Sequence, residues 1–155
     1  MRRIASLMVL GVVVATLSSC GGTKKATSQG QSTSTTQESA SANQVAVTVA
    51  DFKIAILKLQ LPAGHVTFKV IGAGPSAHEL VLFRTDLAPA KLPTVSDGTK
   101  VNEEGEGVEH IDEVEDVTPG TTKELAVDLQ PGRYVLVCNI PGHYKLGMRT
   151  AVTVV

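Results

Sequence analysis

Between Val45 and Val155 no apolar stretch runs far before proline or glycine interrupts it. Pro62-Ala-Gly64, Gly72-Ala-Gly-Pro75, Pro119-Gly120, Pro131-Gly132 and Pro141-Gly142 are turn signals, because proline fixes φ and removes a donor while glycine accepts conformations other residues resist. The segments between them are short. Val45-Ala-Val-Thr-Val49, Leu57-Lys-Leu-Gln-Leu61, Val66-Thr-Phe-Lys-Val70, Leu125-Ala-Val-Asp-Leu129 and Ala151-Val-Thr-Val-Val155 alternate or are rich in β-branched residues, the pattern of half-buried strands. Many short strands in a segment of this length predict an all-β chain folded as one antiparallel β-sandwich. Thr85–Gly107 is compatible with a short helix or a long loop. Val108, Ile111, Val114 and Val117 recur by threes, so the next segment is ambiguous, with a strand preferred.

The first 44 residues read differently. Met1-Arg2-Arg3 precedes an apolar run from Ile4 to Leu17 and then Leu17-Ser18-Ser19-Cys20-Gly21, the layout of an export signal. A run of 14 residues falls short of the roughly 20 that span a bilayer as a helix. Leu17-Ser-Ser-Cys20 resembles the lipobox of bacterial lipoproteins, which implies cleavage before Cys20 and acylation of that cysteine. The segmentation expected is therefore 1–19 as signal, 20–44 as lipidated cysteine and linker, and 45–155 as the folded domain. Gly22 to Gln44 carries no apolar residue larger than alanine and is expected to be a disordered tether with a reach of roughly 25–30 Å. If Cys20 is lipidated, Cys138 has no cysteine to pair with.

Cys138 opens the stretch Cys-Asn-Ile-Pro-Gly-His-Tyr-Lys-Leu-Gly-Met, which ends at Met148. A solitary cysteine is commonly a small buried hydrophobe, and a methionine at a strand start is commonly core. The spacing argues for more. Tyr134, Leu136 and Cys138 fall on one face of a strand from Arg133 to Asn139, and Pro141-Gly142 turns the chain so that His143 returns beside the thiol. A further donor is needed from elsewhere, and His78, on a strand face with Leu80 and Leu82, fits. Zinc would want four strong ligands, or three with an open position. A His₂Cys set with a weak axial methionine is associated instead with blue-copper electron-transfer centres.

Residues 45–155 resemble the cupredoxins, the plastocyanin and azurin type of blue copper protein. The resemblance rests on His78 followed by Gly132-x-Tyr134-x₃-Cys138-x₄-His143-x₄-Met148 and a terminal strand. It implies a Greek-key sandwich with one mononuclear type 1 copper at one end, held by His78, Cys138, His143 and Met148. It also implies one-electron shuttling between redox proteins such as a cytochrome or a respiratory oxidase component, with the protein a monomer and not an enzyme. Glu79 and Asn139 depart from the neighbours familiar in the family. Those positions tune potential more than they decide metal binding, and the N–H groups of Glu79 and Ile140 are placed to donate to the sulfur.

Alternatives follow from the same residues. Val137 and Asn139 flank the cysteine where multicopper oxidases and copper nitrite reductases commonly carry a histidine, and one cysteine cannot make a dinuclear thiolate site. Copper storage, delivery or resistance remains open. His65 is expected to be an exposed turn residue and His110 a solvated side chain among acids. Val101 to Asp116 holds eight carboxylates and no lysine or arginine, either a solvated edge or a surface steering a basic partner. Removing Arg2 and Arg3 with the signal takes the formal charge from −1 to −3, so no nucleic-acid footprint is present.

Overall fold

The computed structural model describes residues 43–155. The expected signal, the expected lipidation site at Cys20 and nearly all of the expected linker lie outside the described residues. The strands are β1 (Gln44–Ala50), β2 (Lys53–Ile56), β3 (Gln60–Leu61), β4 (Gly64–Gly72), β5 (His78–Arg84), β6 (Glu109–Val117), β7 (Thr122–Leu129), β8 (Gly132–Val137) and β9 (Arg149–Val154). They form two sheets, ordered β2-β1-β4-β7 and β3-β9-β8-β5-β6. The architecture is the expected all-β sandwich. Most neighbours are antiparallel, while β1 runs parallel to β4 and β3 parallel to β9, because the chain changes sheets between them.

Period-two alternation builds the core directly. Val45, Val47 and Val49 of β1, Val66, Phe68 and Val70 of β4, Leu80 and Leu82 of β5, and Leu136 of β8 meet between the sheets. Each such side chain, fully buried, contributes about 1.5–3 kcal/mol. β5 and β8 are covered on their outer face too. Val81, Phe83, Val135 and Val137 pack there against Leu92, Val101 and Tyr144. The cover is the segment 85–107, a long connection holding only a 3₁₀ turn at Pro89–Lys91 and an isolated bridge between Thr94 and Val101. The Tyr144 hydroxyl fastens it, accepting from Leu92 N at 3.0 Å and donating to Pro89 O at 2.9 Å.

One local reading changes. Of Leu57–Leu61 only Gln60 and Leu61 are strand, and Leu57 and Leu59 stand in solvent at 101% and 56% exposure. Alternation there does not mark a buried face, since the chain is crossing between sheets. The strand it displaced is β2, which pairs with β1 from Val47↔Ile56 to Ala50↔Lys53.

The spacing by threes near residue 114 resolves as a strand with irregular register. β6 slips against β5 between His78 and Leu80 and again between Leu82 and Phe83. Each slip adds a residue on β6, and Asp116, at φ 51°, lies in the first. The additions let Ile111, Val114 and Val117 all pack against the same core. A regular strand would have turned alternate members of that set outward.

Candidate metal centre

Three donors converge at one end of the sandwich. His78 opens β5, Cys138 directly follows β8, and His143 lies in the loop that leads to β9. His78 and Cys138 are fully buried and His143 is half-buried. The Cys138 Sγ lies 3.4 Å from His143 Nδ1 and 3.9 Å from His78 Nδ1, and one ligand atom from each residue lies within 4.8 Å of the others. Both imidazoles thus turn the same nitrogen toward the sulfur. Such separations match a nitrogen and a sulfur each roughly 2.0–2.3 Å from a common first-row ion, so the donor set fits one metal.

The loop explains how His143 returns. Gly142 and Gly147 take φ 87° and 111°, values that favour glycine. His143 N donates to Ile140 O at 3.0 Å, Met148 N to His143 O at 3.1 Å, and Cys138 N to Met148 O at 3.0 Å. Met148 is therefore bonded through its backbone to both neighbours in the set. Its side chain is fully buried in the core cluster that contains Cys138. From outside the loop, Gly142 N donates to Thr99 O at 2.8 Å, bracing it against the 85–107 cover.

A residue that the sequence pattern does not single out orients the buried imidazole. Asp51, in the turn after β1, accepts from His78 Nε2 at 3.1 Å, and Ser76 Oγ donates to the other Asp51 oxygen at 3.3 Å. With Nε2 carrying the proton, the Nδ1 lone pair is left facing the sulfur. Phe52, next in the turn, sits at φ 62° and sets its ring edge-on to His143, with centroids 6.0 Å apart. Asp51 lies 27 residues before His78, and no local spacing points to it.

The electrostatics favour ligation over free ionisation. Burial pushes the Cys138 thiol above its usual range, and the N–H groups of Glu79 and Ile140 donate to the sulfur and pull it part of the way back. Those are the two donors expected from sequence. Burial, then the nearby His78, holds His143 below the usual imidazole range, which keeps its ring neutral and able to donate a lone pair. Glu79 is raised chiefly by burial, with Lys100 opposing, and accepts from the Asn139 N–H.

The two unfamiliar neighbours have structural work. Asn139 is fully buried; its Oδ1 accepts from Val101 N at 2.6 Å, and its Nδ2 donates to Val101 O at 3.1 Å and Glu103 Oε1 at 2.8 Å. His65 is away from the site, exposed on β4 with Asp128 Oδ1 3.3 Å from Nδ1. His110 is exposed among acids, as expected, with its Nε2 3.9 Å from both Glu103 Oε2 and Glu113 Oε2.

Residues 33–155 match the family described as the sulfocyanin (SoxE) domain. No curated protein matches the sequence. Dithionite-reduced auracyanin from the photosynthetic bacterium Roseiflexus castenholzii superposes at a TM-score of 0.55 with 17% identity, over 73% of this chain and 97% of that one. Auracyanin B gives 0.52 with 21% identity, over 72% and 88%. The azurin Az-iso2 of the obligate methylotroph Methylomonas sp. strain J gives 0.51 with 17% identity, over 72% and 97%. At these identities the likeness is one of fold.

Proposed function

The chain belongs to the sulfocyanin (SoxE) domain family, and from that premise we propose that it is a one-electron carrier, lipid-anchored outside the cytoplasm, with His78, Cys138, His143 and Met148 as copper ligands. At the coarser level it is a sulfocyanin-type blue copper protein with a His-Cys-His-Met site, not an enzyme. The observation that carries the finer reading is the convergence of both Nδ1 atoms on the Cys138 sulfur. Copper, when bound, supplies a one-electron couple that soft sulfur and imidazole together suit in both oxidation states.

The chain's own residues supply the rest. Asp51 holds the His78 tautomer, Glu79 and Ile140 steady the thiolate with N–H bonds, and the short loop fixes His143 relative to both. Groups held this firmly move little when the charge at the site changes, which favours fast transfer. His143 is the ligand nearest solvent, so a redox partner docks on its side. Cys20 carries the anchor in this reading, supported by the Leu17-Ser-Ser-Cys20 stretch after an export-type leader. More than one acyl chain gives stable attachment, at about 0.8 kcal/mol per buried methylene.

The test is the visible spectrum of purified protein loaded with Cu(II). An intense thiolate-to-copper band is expected, and a colourless copper-loaded protein contradicts the assignment. Copper exchange separates carrier from delivery protein: a carrier retains its ion against a competing chelator, whereas a delivery protein releases it.

A further inference from the structure

A second set of donors sits on the outer face of the five-stranded sheet. His110 Nε2 faces Glu103 Oε2 and Glu113 Oε2, each at 3.9 Å, and a ligand atom from each of the three residues lies within 4.8 Å of the others. A separation of 3.9 Å is too long for a direct hydrogen bond. It is a few tenths of an ångström beyond the roughly 3.3–3.6 Å between two donors on a tetrahedral ion with bonds of roughly 2.0–2.2 Å, a gap that small side-chain rotations close. The three side chains are about one-third exposed, at 33%, 35% and 35%, leaving room for solvent to complete a coordination shell.

The backbone is shaped to make this group. His110 and Glu113 are three apart and would point to opposite faces of a regular strand. The register slip between Leu82↔Asp112 and Phe83↔His110 inserts one residue, so His110 and Glu113 pair with Phe83 and Val81, which share a face. Bulges re-aim side chains in this way. Phe83 sets its ring edge to His110, with centroids 5.8 Å apart.

Glu103 arrives from the 85–107 cover and is not free to swing. The fully buried Asn139 donates to its Oε1 at 2.8 Å, turning Oε2 toward His110, the kind of outer bond that orients a ligating carboxylate. Burial and then the charges of Glu103 and Glu115 raise Glu113, with His110 and Lys100 opposing.

We infer that Glu103, His110 and Glu113 form a second metal site, for a divalent borderline ion of the zinc class, which staples the 85–107 cover to β6. One imidazole and two carboxylates suit such an ion, and the absence of sulfur from the set disfavours Cu(I). The site is separate from the thiolate centre and does not depend on that centre's redox role.

Zinc is the probe. Protein whose thiolate site is filled with copper is titrated with Zn²⁺ by calorimetry, the visible band reporting that copper stays in place. One Zn²⁺ per chain is expected, with a rise in the thermal unfolding midpoint. His110→Ala and Glu113→Gln each weaken binding by about tenfold or more and lose the midpoint rise. His65→Ala, on a remote histidine, binds as the wild type does. Retention of the visible band in each variant shows that the fold is intact. Absence of Zn²⁺ binding up to millimolar concentration overturns the inference, and so does wild-type affinity in both site variants.

Discussion

The two donor groups lie on the same five-stranded sheet and follow opposite rules. His78, Cys138 and His143 gather at the end of the core, with two of the three fully buried and a soft sulfur among them. Glu103, His110 and Glu113 lie on the outer face, one-third exposed and all hard or borderline. The first is braced by backbone bonds within its loop and by Asp51. The second is braced where Asn139 reaches Glu103 and where Phe83 meets His110. Burial and softness together distinguish a site able to serve a change of oxidation state from one suited to a redox-inert ion. Asn139 joins the two, since it follows Cys138 in sequence and holds Glu103 in space.

Removing the sulfur breaks that contrast most completely. Cys138→Ser should abolish the intense visible band of the copper-loaded protein; a variant that keeps the band would show that the thiolate is not the ligand.

Proton linkage comes next in size. Only the thiolate ligates, and burial raises the Cys138 thiol, so copper uptake releases a proton throughout the neutral range. Apparent affinity of the copper-free protein should climb about tenfold per pH unit from about 7 and continue past the ordinary thiol value near 8.5. Stability of the copper-free chain carries the matching signs. Cys138 is raised on folding, so the unfolded chain ionises first and stability falls as pH rises past about 8.5. His143 is lowered on folding, so the unfolded chain takes a proton first and stability falls as pH drops below about 6.5. Urea midpoints measured across this range should peak between those limits, and a flat profile would remove the argument.

Much of the site is legible in the order of the residues because metal ligation imposes spacing on the chain. Cys138, His143 and Met148 must follow one another through a single tight loop, and a strand end must present His78. Asp51 escapes such a reading because its partner lies in the other sheet, and a lone aspartate after a strand carries no periodic mark. The Glu103–His110–Glu113 group escapes for a different reason. An acidic run reads as a solvated edge, and the register slip that puts His110 and Glu113 on one face leaves no trace in residue type. The same slips make Val108, Ile111, Val114 and Val117 resemble neither a clean strand nor a clean helix. Leu57–Leu61 fails in the reverse direction, since its alternation is real while Leu57 and Leu59 stand in solvent and only Leu61 is buried.

Smaller effects sharpen the comparison from each side. Asp51→Asn should lower copper affinity by about 10–100-fold, the cost typical of losing a partner that orients a ligating histidine. Equal affinity by competition titration would mean that the loop alone positions His78. Asn139→Ala strands the buried Val101 N–H and carbonyl, and should destabilise the fold by about 1–3 kcal/mol in denaturant unfolding. A change within error would show that the cover does not depend on it.

The most direct measurement is copper-edge X-ray absorption on the wild-type copper-loaded protein. A shell of one short sulfur and two imidazole nitrogens is what the convergence of His78, Cys138 and His143 predicts. A shell of nitrogen and oxygen alone would contradict it.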